Sequence, residues 1–215
     1  MGAGPGPLSA AGGGARTGTV RVVDPADLPA VPWQNGAGTT RALRSDVAAG
    51  WRVSVAAVPG PAPWSPMPGT RRWSCVVAGE GLALVVDGRA VAAPRGVVVS
   101  HPGDVPVHGT PVAGPVANLN LVLERGRASG RMRVRTVTGR LEWDPDVVAL
   151  WVLAGSLSGE APDGPAGPGR VLLPDGAGAV ATAGTCTVVE VAVVEVAVAA
   201  PRPAEETDVR TGGRR

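Results

Sequence analysis

"LALVVDGRAVAA", Leu82 to Ala93, decides the fold of this chain. Two apolar runs flank Asp87–Gly88, and an Asp-Gly pair set between alternating hydrophobics is the composition of a tight hairpin turn. The same grammar extends to either side. "WRVSVAAV" (Trp51–Val58) alternates Trp51, Val53 and Val55 against Arg52, Ser54 and Ala56. "NLNLVLERG" (Asn118–Gly126) alternates Asn118 and Asn120 against Leu119, Leu121 and Leu123. Residues two apart on a strand share a face, so the two asparagines point the same way. With 32 Gly and 22 Pro among 215 residues, little room is left for long helices. The chain reads as an all-β sandwich or barrel.

A weak internal repeat organises these strands. "CVVAGEG" (Cys75–Gly81) resembles "WVLAGSL" (Trp151–Leu157), and "VVVSHPGD" (Val97–Asp104) resembles "VLLPDGAG" (Val171–Gly178). The offsets predict two similar β-units in tandem, residues 19–127 and 128–200. The boundary falls near "ERGRASGRM" (Glu124–Met132). Residues 1–18 and 201–215 are rich in Gly, Pro and charge with almost nothing to bury, and are expected to be disordered tails. Asn118 and Asn120 correspond to the Val188–Val191 region of the second unit, which also has nothing like the polar segment "PWQNGAGTT" (Pro32–Thr40). A ligand, if there is one, belongs to the first unit.

Composition narrows the function. Lys, Ile, Phe and Tyr are absent, all twenty basic residues are Arg, and the formal net charge is only +2. No basic stripe interleaved with aromatics exists, which disfavours nucleic acid. "TVVEVAVVEVAVAA" (Thr187–Ala200) is too short and carries Glu190 and Glu195, so no membrane span is expected. No secretion signal is visible, and a cytoplasmic protein is expected. Cys75 and Cys186 lack metal-like spacing and read as reduced core residues. His101 and His108 form no H-x-H pair, so neither a metal nor another cofactor is expected. There is no G-x-S-x-G elbow, and "NGAGTT" lacks the lysine of a phosphate loop.

What remains is a small-molecule pocket. Gln34, Asn35, Asn118 and Asn120 are the only side-chain amides in the chain, and they fall in two short segments. Arg52 and Ser54 share one strand face, and Asn118 and Asn120 another. Arg offers a planar fork for a carboxylate, with Asn and Thr adding oriented neutral bonds. Trp33, Trp64 or Trp73 would close the apolar side. Spacing alone leaves a second reading open, in which these polar groups satisfy one another inside a barrel.

Six motifs occur in an informative order. They are "PWQNGAGTTR" (Pro32–Arg41), "WRVSVAAV", "PWSPMPGTRR" (Pro63–Arg72), "VVAGEGLAL" (Val76–Leu84), "PGDVPV" (Pro102–Val107) and "GPVANLNLVLERG" (Gly114–Gly126). Together they resemble the HutD/Ves family. The resemblance implies a bicupin, two cupin-type β-barrels in one chain, often as a homodimer. It also implies a bacterial protein that binds a metabolite of histidine utilisation and moderates the pathway rather than catalysing a step. Carried over residue by residue, the binding positions are Trp33, Asn35, Gly36, Thr39 and Thr40 in the first motif and Arg52 and Ser54 in the second. Asp104 matches the fifth motif and Asn120 the sixth; Ser65 and Arg71 or Arg72 match the third. Asn118 stands where the family usually has an aspartate. Metal cupins place an H-x-H pair where this chain has "MPGTRRW", so a metal-free cupin binding a small carboxylate is expected. The alternatives are an isomerase or lyase using Asp104 and His108 as acid and base, or an interaction scaffold.

Overall fold

The structure is a computed structural model that describes residues 19–158 and 165–195. The predicted tails, residues 1–18 and 201–215, lie outside the described residues. In chain order the strands are β1 (Thr19–Val23), β2 (Val31–Pro32), β3 (Thr39–Asp46), β4 (Trp51–Val58), β5 (Ala62–Trp64), β6 (Thr70–Ala78), β7 (Gly81–Val86) and β8 (Arg89–Pro94). There follow β9 (Val98–Pro102), β10 (Val107–Pro111), β11 (Val116–Glu124), β12 (Ala128–Trp143), β13 (Val147–Ala154), β14 (Leu157–Ser158), β15 (Val171–Asp175) and β16 (Gly178–Glu195). The one helical element among the described residues is a 3-10 turn, Pro25–Asp27. Among the described residues no helix is long and apolar enough to cross a membrane.

Asp87–Gly88 is the turn that its composition predicts. Val86 pairs with Arg89 across a two-residue loop, with φ of 50° at Asp87 and 75° at Gly88. Positive φ at both centres matches the right-handed twist of the flanking strands, which is why this dipeptide closes hairpins.

Three antiparallel sheets result. The first large sheet runs β2-β3-β4-β11-β6-β9, a small sheet runs β5-β10-β7-β8, and the second large sheet runs β1-β15-β13-β16-β12. The predicted repeat is present in the topology, since the order β4-β11-β6-β9 recurs as β12-β16-β13-β15. β1 stands apart from this symmetry. The sequence reading counts it in the first unit, residues 19–127, yet it pairs with β15 of the second large sheet, Thr19 opposite Asp175 through Val23 opposite Val171.

Alternation assigns the faces. Trp51, Val53 and Val55 of β4 join Leu119, Leu121 and Leu123 of β11 in a core shared with Ala149 and Trp151 of β13 and Val189, Val191 and Val193 of β16. The two large sheets thus pack back to back. On its other face the first large sheet is covered by the small sheet, with Ala56, Val58 and Val76 against Trp64, Leu82, Leu84 and Val107. The far face of the second large sheet has its own core, including Leu141, Leu150, Leu172, Cys186 and Val188. Cys75 and Cys186 are both free and buried, in different cores. The fold is all-β, a bicupin.

Candidate functional site

The inward face of the first large sheet is apolar at one end and polar at the other. Ladder register sets the polar end. Ser54, Asn120 and Ser74 lie side by side across β4, β11 and β6, and the next row is Arg52, Val122 and Arg72. Of these rows Arg52, Ser54, Arg72, Asn120 and Val122 floor a cavity of about 500 Å³. Thr40 and Ala42 of β3 continue the floor, while Trp33, Gln34, Trp64 and Met67 form the rim.

The cavity is cationic. Arg72 sits over the Trp64 ring, 5.2 Å from guanidinium carbon to centroid, and donates to the Ser65 carbonyl at 3.2 Å. Burial and, secondarily, the charge of Arg52 push the Arg72 pKa down to about 10. Among the described residues no carboxylate lies within 4.0 Å of either guanidinium. Two like charges therefore face one space without a counter-ion.

Six of the residues anticipated from sequence meet here: Trp33, Thr40, Arg52, Ser54, Asn118 and Asn120. Trp33 is fixed by its indole N–H donating to Thr40 Oγ1 at 2.8 Å. Five others lie outside the cavity, each for a local reason. Asn35 and Gly36 form the tip of the β2–β3 hairpin. Asn35 Oδ1 accepts from the Ala37 amide at 3.1 Å, and Gly36 takes φ 69°. Asn35 is an Asx-turn residue, the usual use of asparagine before glycine. Thr39, next to Thr40 on the strand, has the opposite side-chain direction. Asp104 accepts from the Gly69 amide at 2.9 Å and pairs with Arg125, and these donors hold its pKa below the usual carboxylate range. His108 is exposed, between the inward-facing Val107 and Gly109 of β10.

Sequence reasoning named Arg72 only as one of two arginines that match the third motif, and weighed His101 only as a metal ligand. Arg72 becomes visible only through pairing, because its approach to Arg52 depends on β11 lying between β6 and β4. His101 sits opposite Arg72 on β9, its ring centroid 6.0 Å from that of Trp64 and its Nδ1 2.8 Å from the Pro102 carbonyl. Burial depresses its pKa, and the charges of Arg72 and Arg71 add to this, outweighing the bond to Pro102. The neutral ring is thus the folded form. Its stabilising contribution is complete above about pH 6.5 and is lost as pH falls from there toward the folded pKa. The variant His101→Phe is expected to have a flatter stability curve between about pH 7 and pH 5 by urea unfolding; an unchanged slope would exclude this source.

The second unit presents the same sheet face with different contents. Its row equivalent to Ser54–Asn120–Ser74 is Arg133–Glu190–Leu150, so Glu190 occupies the place of Asn120. Arg131, opposite Ala192, occupies the place of Arg52. The Glu190 carboxylate is fully buried and is held by Arg133 Nε at 2.8 Å, by Arg135 and, at 3.7 Å, by Arg131. The second barrel thus carries its own carboxylate.

The sequence matches the HutD family over residues 25–189, more than three-quarters of the chain. The chain belongs to the HutD family. A curated relative from Pseudomonas putida, an uncharacterized 21.2 kDa protein in the hutC 3' region, is 28% identical over 135 residues, 58% of this chain and 69% of that protein. Among solved structures, a conserved protein of unknown function from Pseudomonas aeruginosa PAO1 is 26% identical with TM-score 0.68, covering 83% of this chain and all of that one. HutD from Pseudomonas fluorescens SBW25 gives 24% and 0.67 over the same shares. A cupin 2 conserved barrel domain protein from Leptotrichia buccalis shares the fold at 9% identity and TM-score 0.58, over 81% of this chain and 96% of that one. In this HutD-family chain the match runs through both units and takes in the whole cavity floor. Among the described residues no three His, Cys, Asp or Glu side chains converge as a metal site would require.

Proposed function

We propose that the first barrel of this HutD-family protein binds a small carboxylate metabolite, and that the protein senses that metabolite to moderate histidine utilisation. The observation that carries the reading is the equivalence of the two barrels. Where the second barrel clasps the Glu190 carboxylate with arginines, the first has Asn120, keeps an arginine at the equivalent position in Arg52, and adds Arg72. An anionic ligand would take the part that Glu190 plays in its sister site. Guanidinium forks recognise carboxylates through paired charge-assisted bonds, and the surrounding Ser54, Thr40 and Trp33 supply neutral donors and an apolar wall. The histidine-utilisation context is supported by family membership and by the placing of the Pseudomonas putida relative beside hutC. Binding is favoured over turnover because Asp104 and His108, the acid and base of the enzymatic alternative, lie away from the cavity.

The test is calorimetric titration with formate, acetate and the acidic intermediates of histidine breakdown. At least one is expected to bind, and Arg52→Ala to weaken it roughly 10- to 100-fold, the worth of a charged hydrogen bond. A ligand whose affinity is indifferent to Arg52 would overturn the assignment, as would the absence of any carboxylate that binds.

A further inference from the structure

The two asparagines of the cavity floor are oriented by a chain of constraints that begins at the backbone. Asn120 Nδ2 donates to the main-chain carbonyl of Asn118 at 2.9 Å. A carbonyl only accepts, so the Asn120 amide has one orientation, with Oδ1 turned toward the Asn118 side chain. That oxygen accepts from Asn118 Nδ2 at 3.0 Å. Rotating the Asn118 amide would set oxygen against oxygen. Both amides are therefore fixed, and Asn118 Oδ1 is left as a committed acceptor. The residue is 2% exposed and lines the cavity, and no donor among the described residues reaches that oxygen.

Resting on the carboxylate reading of this cavity, we infer that its occupant also carries an O–H or N–H group that donates to Asn118 Oδ1. A ligand that fills the space without such a donor leaves a buried acceptor unpaired, or displaces a water whose bond it does not replace. The spacing adds a second requirement. Asn118 shares its row with Ala56 and Val76, whereas Arg52 and Arg72 flank Val122. Four residues along a strand separate the two rows by about 13 Å at the backbone, a gap that arginine side chains can span, as Arg131 and Arg135 do in reaching the one Glu190 carboxylate. Donor and carboxylate thus belong to one small molecule, a few bonds apart. The ligand class is a hydroxy or amido carboxylate, not a simple fatty acid.

Matched ligands test this on the unmodified protein by calorimetry. γ-Hydroxybutyrate is compared with butyrate, which lacks the hydroxyl, and N-acetyl-γ-aminobutyrate with its N-methyl derivative, in which a methyl replaces the donor hydrogen. The donor-bearing member of each pair is expected to bind about tenfold more tightly. In Asn118→Leu that preference should collapse to within about twofold while the carboxylate is still bound, and Arg52→Ala should weaken all four ligands alike. Equal affinity within both pairs in the unmodified protein would overturn the donor requirement and leave the carboxylate site standing. Failure of every carboxylate to bind would overturn both. If Asn118→Leu does not fold, the matched pairs decide alone.

Discussion

The double variant Arg133→Leu/Arg135→Leu is expected to lose roughly 3–5 kcal/mol of stability, the range for stranding one partner of a buried ion pair. The effect originates in Glu190 rather than in the arginines. Arg133 and Arg135 side chains are about half and a quarter exposed, so they regain water when freed, but the Glu190 carboxylate is wholly enclosed. Arg131, 3.7 Å away and engaged with Asp146, is a poor substitute. Adding Glu190→Leu to the double variant should restore most of the loss, because a fully apolar replacement of a buried charge cluster is often near neutral. Urea midpoints at constant m measure both steps. A double variant within about 1 kcal/mol of the parent would show that the carboxylate is solvated in solution.

The second large effect is expected at a glycine. Gly155 closes the turn after β13 at φ 76°, and a Cβ there would stand 2.3 Å from the Thr185 carbonyl oxygen and 2.8 Å from the Cys186 Cα. Both obstacles are backbone, so no side chain can swing aside. Gly155→Ala should cost about 2–5 kcal/mol, left-handed strain of 1–2 plus an overpacking cost of 1–3. Gly139→Ala is the control. It has φ 87° with open space around it and should lose only about 1–2 kcal/mol. Equal losses in thermal or urea unfolding would show that strain alone governs these turns. Gly79, the repeat partner of Gly155, has the same arrangement at φ 83°, with the Pro115 carbonyl 2.7 Å from a built Cβ.

These glycines also mark how far the sequence could be read. The Asp87–Gly88 hairpin, the alternation of β4 and the shared face of Asn118 and Asn120 were legible because each is settled within a few residues. The family motifs carried the fold further, to two barrels. Legibility failed where meaning depends on a distant partner. Arg72 is a cavity residue only because β11 sets it beside Arg52. In the sequence Glu190 counted merely as a charge in an apolar run; its place opposite Arg133 follows from a pairing between residues 57 positions apart. Asn35 was ambiguous for the opposite reason. An Asn-Gly pair serves a turn or a pocket equally well, and the choice went to the local Asx bond.

The pairing of β1 with β15 has a consequence for the order in which the protein is made. Thr19 must wait for Asp175, 156 residues later, before its hydrogen bonds can form. At about 5–20 residues per second, ribosomal synthesis takes roughly 8–30 s to deliver that partner. Throughout that interval the first barrel can assemble while the strand that precedes it stays unpaired, its Val20 and Val22 without the core they join. Docking of β1 onto β15 thus joins an early-made segment to a late-made one. A nascent chain stalled before residue 171 will hold every strand of the first barrel and a β1 still without its partner.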